Sequence, residues 1–199
     1  MFLVSGKMIY KSVTINWSTV VKRCINEALD GLGHSLQLCR NGNGKIVSAR
    51  LVREVSRHKF EQPSVVEVLN MIEIPANMLG LLMIALLAIP RGKVTSYAAM
   101  GKLLGISPRL VGLLLSKNPI PVLVPCHRVI QSDGNIGGYS IRNPAIKNAV
   151  DVKRKLLEME GIIFINGKVP KRFFIDYREH ERMFYELYNV YVNQMKTKS

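Results

Sequence analysis

Apolar positions in the first third of the chain alternate between helical and strand-like spacing. Ser18 is suited to cap a helix whose apolar face carries Val20, Val21, Cys24 and Ala28. Residues 35–39 and 45–51 flank the turn-rich segment 41–44, which is typical of a β-hairpin. The pattern therefore predicts an N-terminal α+β domain over residues 1–75, built from a small sheet and a helix.

Beyond this part, the passage between Pro63 and Pro75 has the composition of a linker. Residues 78–90 then form an apolar run that is shorter than the ~18 residues a membrane span needs. We predict that this run is a buried helix at the start of a second, mostly helical domain covering residues 76–165.

Two short helices are predicted inside the second domain, at residues 96–104 and 108–116. Gly105 supplies a turn, and Ser107 followed by Pro108 is a strong helix start signal. Such a pair predicts a helix-turn-helix, although many helical pairs never bind DNA. On the second helix one face carries Arg109, Gly112, Leu113 and Ser116.

Residues 166–199 form a basic, aromatic extension that we predict to be helical. Its aromatic residues alternate with lysines and arginines. Such a segment either packs against its own domain or stacks on single-stranded DNA, and we favour packing because the pattern is amphipathic.

Charge narrows the choice of partner. Lys and Arg number 28 against 14 acidic residues, which gives a net charge of +14 and a sequence pI near 9.9. Between Ile74 and Ser132 there is no acidic residue, yet there are six Lys or Arg, partly because much of this stretch is apolar core. We expect nucleic acid as the partner, with an anionic membrane surface as the second choice.

The cysteines and the N-terminus indicate a compartment. Three cysteines do not form a disulfide framework, and whether Cys24 and Cys39 pair is open. No signal peptide is evident at the N-terminus. We expect a cytoplasmic protein, nucleoid-associated if its source is prokaryotic, with no membrane contact.

The residues best suited to chemistry are Cys126, His127 and Arg128, which follow the apolar run 120–124. A thiol beside a histidine and an arginine, far from acids in the chain, is expected to have a lowered pKa and an adjacent base. The alternative is an inert buried cysteine. The cysteines and histidines lack metal-ligand spacing, so we expect no metal site.

Residues 125–129, Pro-Cys-His-Arg-Val, resemble the active-site signature of the O6-alkylguanine-DNA alkyltransferases, also called methylated-DNA–protein-cysteine methyltransferases. The resemblance extends over residues 89–161 and includes the flanking pieces 89–97, 118–121, 137–140 and 156–161. It implies a DNA repair protein that flips O6-alkylguanine out of duplex DNA and transfers the alkyl group irreversibly to its own cysteine.

The resemblance also implies roles for single residues. Cys126 would accept the alkyl group, and His127 would act as its base through a water. Glu160 would orient His127, Asn118 would support the active-site turn, and Tyr97 would help to protonate the departing guanine.

A second group of residues would bind the nucleotide and the DNA. Tyr139 and Ser140 would cover the flipped base, and the Val129 carbonyl would accept the guanine amino group. Arg109 would take the place of the extruded base. We expect further DNA contacts from Gly112, Ser116 and Arg128.

The chain departs from the family pattern at two places. Leu110 and Leu113 are bulky where the family favours small residues, and Leu113 could hold the DNA off or wedge into a minor groove. Residues 141–148 are an insertion that alters the segment over the pocket.

The predicted protein is thus a single-turnover, self-inactivating methyltransferase. It would act as a monomer on double-stranded DNA carrying O6-alkylguanine, and it would need no cofactor because the alkylated base is itself the donor. The main alternative is a non-catalytic binder of alkylated DNA, against which Cys126 argues. A helix-turn-helix regulator would have no use for residues 125–129, and a thiol hydrolase would need an oxyanion hole that we cannot identify.

Overall fold

The computed structural model describes residues 35–52, 63–140 and 148–196. The helix predicted after Ser18, Cys24, and residues 141–147 of the predicted insertion lie outside these ranges. Within them the protein is a mixed fold of helices and two small sheets. The domain boundaries at residues 75 and 165 stay predictions.

Six helices and four strands make up the described chain. The strands are β1 (Ser35–Arg40), β2 (Ile46–Val52), β3 (Thr95–Ser96) and β4 (Val129–Ile130). The helices are α1 (Val65–Met71), α2 (Met78–Leu87), α3 (Tyr97–Leu104), α4 (Pro108–Ser116), α5 (Ala149–Met159) and α6 (Tyr177–Lys196). Short 3₁₀ turns lie at Cys126–Arg128 and Lys171–Phe173. Strands β1 and β2 pair antiparallel, and β3 and β4 pair parallel.

The predicted hairpin is confirmed by β1 and β2. The Asn41 side-chain oxygen accepts hydrogen bonds from the backbone N–H groups of Asn43 and Lys45, which fixes the turn. On β2, the N–H of Ala49 donates to the carbonyl of Pro119 at 2.8 Å. The hairpin therefore braces the segment that leads to Cys126.

The prediction of a linker between Pro63 and Pro75 is wrong, because this passage contains helix α1. Ser64 accepts a hydrogen bond from the N–H of Glu67, and the Glu67 carboxylate accepts one from the N–H of Ser64. This reciprocal capping box starts a helix that buries Val68 and Leu69.

The predicted helix-turn-helix is confirmed by α3 and α4, which are bent by 97° relative to each other. Ser96 and Ser107 cap the two helices, and Gly105 ends α3 in the left-handed conformation with φ of 66°. A Cβ at Gly101 would lie 2.6 Å from the Ile106 carbonyl oxygen, so this glycine lets the turn close onto α3.

Helix α2 is the centre of the larger core and confirms the predicted buried helix. Helix α6 covers it: Phe184 is buried in the same cluster, and His180 Nε2 lies 2.9 Å from the Ala85 carbonyl oxygen. The extension therefore packs against the rest of the molecule, as favoured from the sequence. No helix in the described ranges is by itself long and apolar enough to cross a membrane.

Candidate active site around Cys126

Asn118 holds the turn that leads to Cys126. Its Nδ2 donates to the Val124 carbonyl at 2.9 Å, and its Oδ1 accepts from the N–H of Ile120 at 3.1 Å. Val122 lies inside the turn with φ of 76°, a conformation that costs a β-branched residue of order 1–3 kcal/mol. Both ends of the strained turn are thus tied to one buried amide, which fits the supporting role expected of Asn118.

Cys126 forms part of the wall of a cavity of about 350 Å³ between α4 and residues 138–140. Its side chain is only 5% exposed, and Sγ lies 3.9 Å from the Tyr139 hydroxyl, a long hydrogen bond. The cavity brings together most of the residues expected to meet the substrate, with Leu115 and Gly138 added to Tyr97, Gly112, Ser116, Cys126, Tyr139 and Ser140.

The expected lowering of the Cys126 pKa is wrong. Burial raises the pKa of the thiol, and this effect outweighs the hydrogen bonds from Asn118 and Tyr139 and the charge of Lys153, which lower it. The prediction considered only the neighbours of the cysteine in the chain, whereas burial depends on the fold. The resting group is therefore a thiol, and its reaction needs a base.

His127 and Glu160 form the expected pair, with His127 Nε2 2.8 Å from Glu160 Oε1. Burial alone would raise the pKa of Glu160, but His127 and Arg128 overcome it and lower the value to about 2. Burial also lowers the pKa of His127, so the imidazole is neutral near pH 7. The ionised carboxylate holds the proton on Nε2, which leaves Nδ1 with a free lone pair.

That Nδ1 atom is the one unsatisfied polar atom found in buried side chains of the described residues. A buried nitrogen lone pair without a partner is costly and calls for a water or a reaction partner. Nδ1 is thus the atom of His127 that can receive a proton.

Arg128 does not lie at the surface, and the prediction that it contacts DNA is wrong. It is 3% exposed, its Nη2 lies 2.8 Å from Glu160 Oε1, and its Nη1 donates to the Ile89 carbonyl at 2.6 Å. A guanidinium held on both sides inside the protein is unavailable to a phosphate. Its role here is to keep Glu160 ionised.

Lys153 is a site residue that the sequence analysis missed. It is 1% exposed, and its Nζ donates to the carbonyls of Val129 at 2.7 Å and Gly138 at 3.1 Å. Burial lowers the pKa of Lys153 to about 8, while Cys126 pulls it up. A signal was present, because Lys153 is three and four residues before Leu156 and Leu157 and so shares their apolar face.

The same contact bears on Val129, whose carbonyl was expected to bind the guanine amino group. Val129 is fully buried and does not line the cavity, and its carbonyl already accepts a hydrogen bond from Lys153. A carbonyl has two lone pairs, so one remains for a second donor. Its contact with guanine stays a prediction.

Outside the cavity, α4 presents Arg109 to solvent, as expected of a residue that meets DNA. Leu110 and Leu113 are also exposed, by 38% and 52%. Elsewhere, Cys39 is a half-buried free cysteine. No group of three or more potential metal-binding side chains occurs in the parts of the chain that the structure describes.

Comparison with known proteins gives one family match and several relatives. Residues 82–162 match the family model described as 6-O-methylguanine DNA methyltransferase, DNA binding domain. The chain is 45% identical over 97 residues to a methylated-DNA–protein-cysteine methyltransferase of Pyrobaculum aerophilum, covering 49% of this chain and 57% of that protein. It is 51% identical over 83 residues to the protein of that name from Saccharolobus solfataricus, covering 42% and 46%.

These matches concern one part of the molecule, since the chain spans about half the length of the curated relatives it matches. Among solved structures, the Mycobacterium tuberculosis O6-methylguanine methyltransferase aligns with a TM-score of 0.48 and 26% identity. That alignment covers 66% of this chain and 88% of the other.

Proposed function

Since residues 82–162 match the family model described as 6-O-methylguanine DNA methyltransferase, DNA binding domain, we propose that the chain belongs to this family and removes alkyl groups from guanine O6 in duplex DNA. The acceptor is Cys126, and the product is a thioether that none of the described residues lining the cavity can cleave. The observation that carries this proposal is a cysteine in the wall of a 350 Å³ cavity, followed in the chain by an imidazole that Glu160 holds with one nitrogen free.

The reaction begins with loss of the thiol proton. His127 Nδ1 takes that proton from Cys126 Sγ through a water. Glu160 stabilises the imidazolium that forms, and Arg128 keeps the Glu160 carboxylate charged beforehand. The thiolate that results is stabilised by the Tyr139 hydroxyl, the Asn118 amide and the charge of Lys153.

Alkyl transfer is a displacement at the carbon attached to guanine O6. The new bond joins Cys126 sulfur to that carbon, and the bond between the carbon and O6 breaks. The electron pair of the broken bond stays with guanine, which accepts a proton and leaves as a neutral base. The proton lost by the thiol thus balances the proton gained by guanine, and no cofactor takes part.

Tyr97 is suited to assist the departing base. Burial and the nearby Cys126 raise the pKa of its phenol, which therefore stays protonated and able to donate. Its hydroxyl lies 3.4 Å from the Gly138 carbonyl, at the same wall of the cavity. We assign it the donor role toward guanine.

The substrate must leave the helix to reach the sulfur, because a paired base does not expose its O6 substituent to a buried thiol. The cavity volume falls within the ~300–1,000 Å³ typical of pockets for small molecules. The partner in this proposal is double-stranded DNA, the protein acts as a monomer, and its place of action is the cytoplasm. Cys126 counts against a non-catalytic binder, which would have no use for a nucleophile in the cavity.

Mass spectrometry of the intact protein tests the proposal. After incubation with duplex DNA containing O6-methylguanine, the mass should rise by about 14 Da, one methyl in exchange for one hydrogen, and peptide mapping should locate the gain at Cys126. Cys126→Ser should show no gain, whereas the matched control Cys39→Ser should gain the methyl group. Methylation at Cys39, or a gain in the Cys126→Ser variant, would reject the assignment.

A further inference from the structure

Helix α4 exposes two leucines next to each other on its outer surface. Leu110 and Leu113 are 38% and 52% exposed and lie one helical turn apart, so their side chains are neighbours. Exposed Arg109 and Lys117 lie toward the two ends of the helix. We call Leu110 and Leu113 the apolar ridge; it has a cation toward each end. The proposed alkyl transfer gives neither leucine a role.

The ridge lies beside the cavity. Gly112 and Ser116 line the cavity from α4, and Leu113 is adjacent to the first and one turn from the second. Leu113 nevertheless points to solvent and is not among the lining residues. It therefore stands at the edge of the opening between α4 and residues 138–140.

Charge identifies what covers this surface. Arg109 and Lys117 are eight positions apart, which corresponds to ~12 Å along the helix, and the stretch between Ile74 and Ser132 contains no acidic residue. A polyanion is attracted by both cations, and the apolar ridge lies between them. Proteins that bind the DNA minor groove use leucine in this way, as a wedge that unstacks a base step.

We infer that Leu113, supported by Leu110, is a wedge that enters the minor groove of duplex DNA and unstacks the base pair next to the cavity. Unstacking lowers the free energy needed to extrude a base, so the wedge accelerates reaction with duplex DNA and not the chemistry itself. Leu113 is thus a positioning residue. Its part in repair rests on the proposed function, whereas the unstacking of DNA does not.

The decisive comparison is between duplex DNA and a substrate that needs no flipping. Leu113→Ala should lower the second-order rate constant for methyl transfer from O6-methylguanine in duplex DNA by about tenfold or more. Its rate constant with free O6-methylguanine base should stay within about twofold of the wild-type value, because no stacking has to be broken. The matched control is Met195→Ala on α6, which removes a side chain that is 53% exposed.

Three results would overturn the wedge. One is an unchanged or faster rate of Leu113→Ala on the duplex, and another is an equal loss with duplex and free base. The third is an equal loss of duplex rate in Met195→Ala, which would indicate a general effect of removing exposed apolar surface.

A separate measurement keeps this inference apart from the proposed function. In duplex DNA that carries 2-aminopurine and no alkylated base, binding of the wild-type protein should raise the fluorescence as the 2-aminopurine unstacks, and Leu113→Ala should abolish most of the rise at saturating protein. No rise with the wild-type protein would overturn the wedge, even if methyl transfer occurs. A rise without methyl transfer from either substrate would overturn the proposed function and support the wedge.

Discussion

At the scale of single residues, the Cys126 thiol is subject to two opposing effects. Burial raises its pKa, while Asn118, Tyr139 and Lys153 lower it. Lys153 is the only one of these three groups with a full charge, and it is itself destabilised as a cation by burial. Deprotonation of the thiol therefore creates an ion pair in which each charge stabilises the other.

A pH profile of Lys153→Met tests this pairing. The wild-type transfer rate should rise with pH as the thiol ionises, and the rise should become shallower above about pH 8, where Lys153 loses its proton and no longer lowers the pKa of Cys126. Without the cation the pKa of Cys126 is higher still. The rising limb should thus move to higher pH, and the rate at pH 7 should fall by about tenfold.

The measurement is methyl uptake from free O6-methylguanine base between pH 6 and 10, which avoids effects on DNA affinity. The control is Lys155→Met, which removes an exposed lysine from the same helix. An unshifted limb in Lys153→Met would mean that the charge of Lys153 has no influence on the nucleophile.

The neighbours of Cys126 in the chain were a poor guide to its pKa and to the role of Arg128. Both errors have one cause, since burial decides whether a charge faces water, and burial is a property of the packed fold. Asn118, Tyr97 and Tyr139, by contrast, lie where the family resemblance implied, around the turn and the cavity.

At the scale of elements, local signals gave the helix-turn-helix. Ser96, Gly105, Ser107 and Pro108 each act on backbone groups within a few residues, so their effect can be read from the chain. The same kind of signal, Ser64 with Glu67, is present at the start of α1, but the prediction of a linker rested on the flanking prolines and did not use it. The pairing of β3 with β4 had no local signal, because its partners are 34 residues apart.

Substitution of two glycines tests how tightly the turn is packed. Gly101→Ala should destabilise the protein by about 1–3 kcal/mol, because the added methyl group would lie 2.6 Å from the Ile106 carbonyl oxygen. Gly112→Ala should be neutral or stabilise by up to about 1 kcal/mol, because its Cβ would meet only Tyr97 at 3.9 Å and alanine favours a helix.

Urea unfolding followed by circular dichroism gives both free energies of unfolding. If Gly101→Ala were as stable as Gly112→Ala, the added methyl group would fit beside the Ile106 carbonyl oxygen, and the turn would not be tightly packed.

At the scale of the whole molecule, the net charge of +14 acts, in the proposed function, on the first encounter with DNA. Affinity for unmodified duplex DNA should fall by ~10-fold between 50 and 200 mM salt for every two phosphates contacted, because bound counterions are released. Fluorescence anisotropy of a labelled duplex would give the slope. Transfer from free O6-methylguanine base should barely change with salt, and an affinity for DNA independent of salt would argue against phosphate contacts.

The contacts that join distant parts of the chain were the hardest to foresee. The resemblance supplied the pairing of His127 with Glu160, which are 33 residues apart. Neither the resemblance nor any sequence pattern predicted the hydrogen bond between Ala49 and Pro119, or the hydrogen bonds from Lys153 to two backbone carbonyls. Such contacts depend on how helices and loops pack against one another. The spacing of apolar residues along one element does not determine this packing.

Helix α6 packs over α2, and this packing determines which fragment of the protein can fold when it is expressed separately. A fragment cut to residues 82–162 would start inside α2 and would lack Phe184 and His180, which shield and bond that helix. It would also lose the backbone hydrogen bonds that join Val94 to Phe173 and Ile175. The part of the chain that matches the family model is thus smaller than the part that can fold by itself. A fragment limited to that match would expose apolar surface and aggregate.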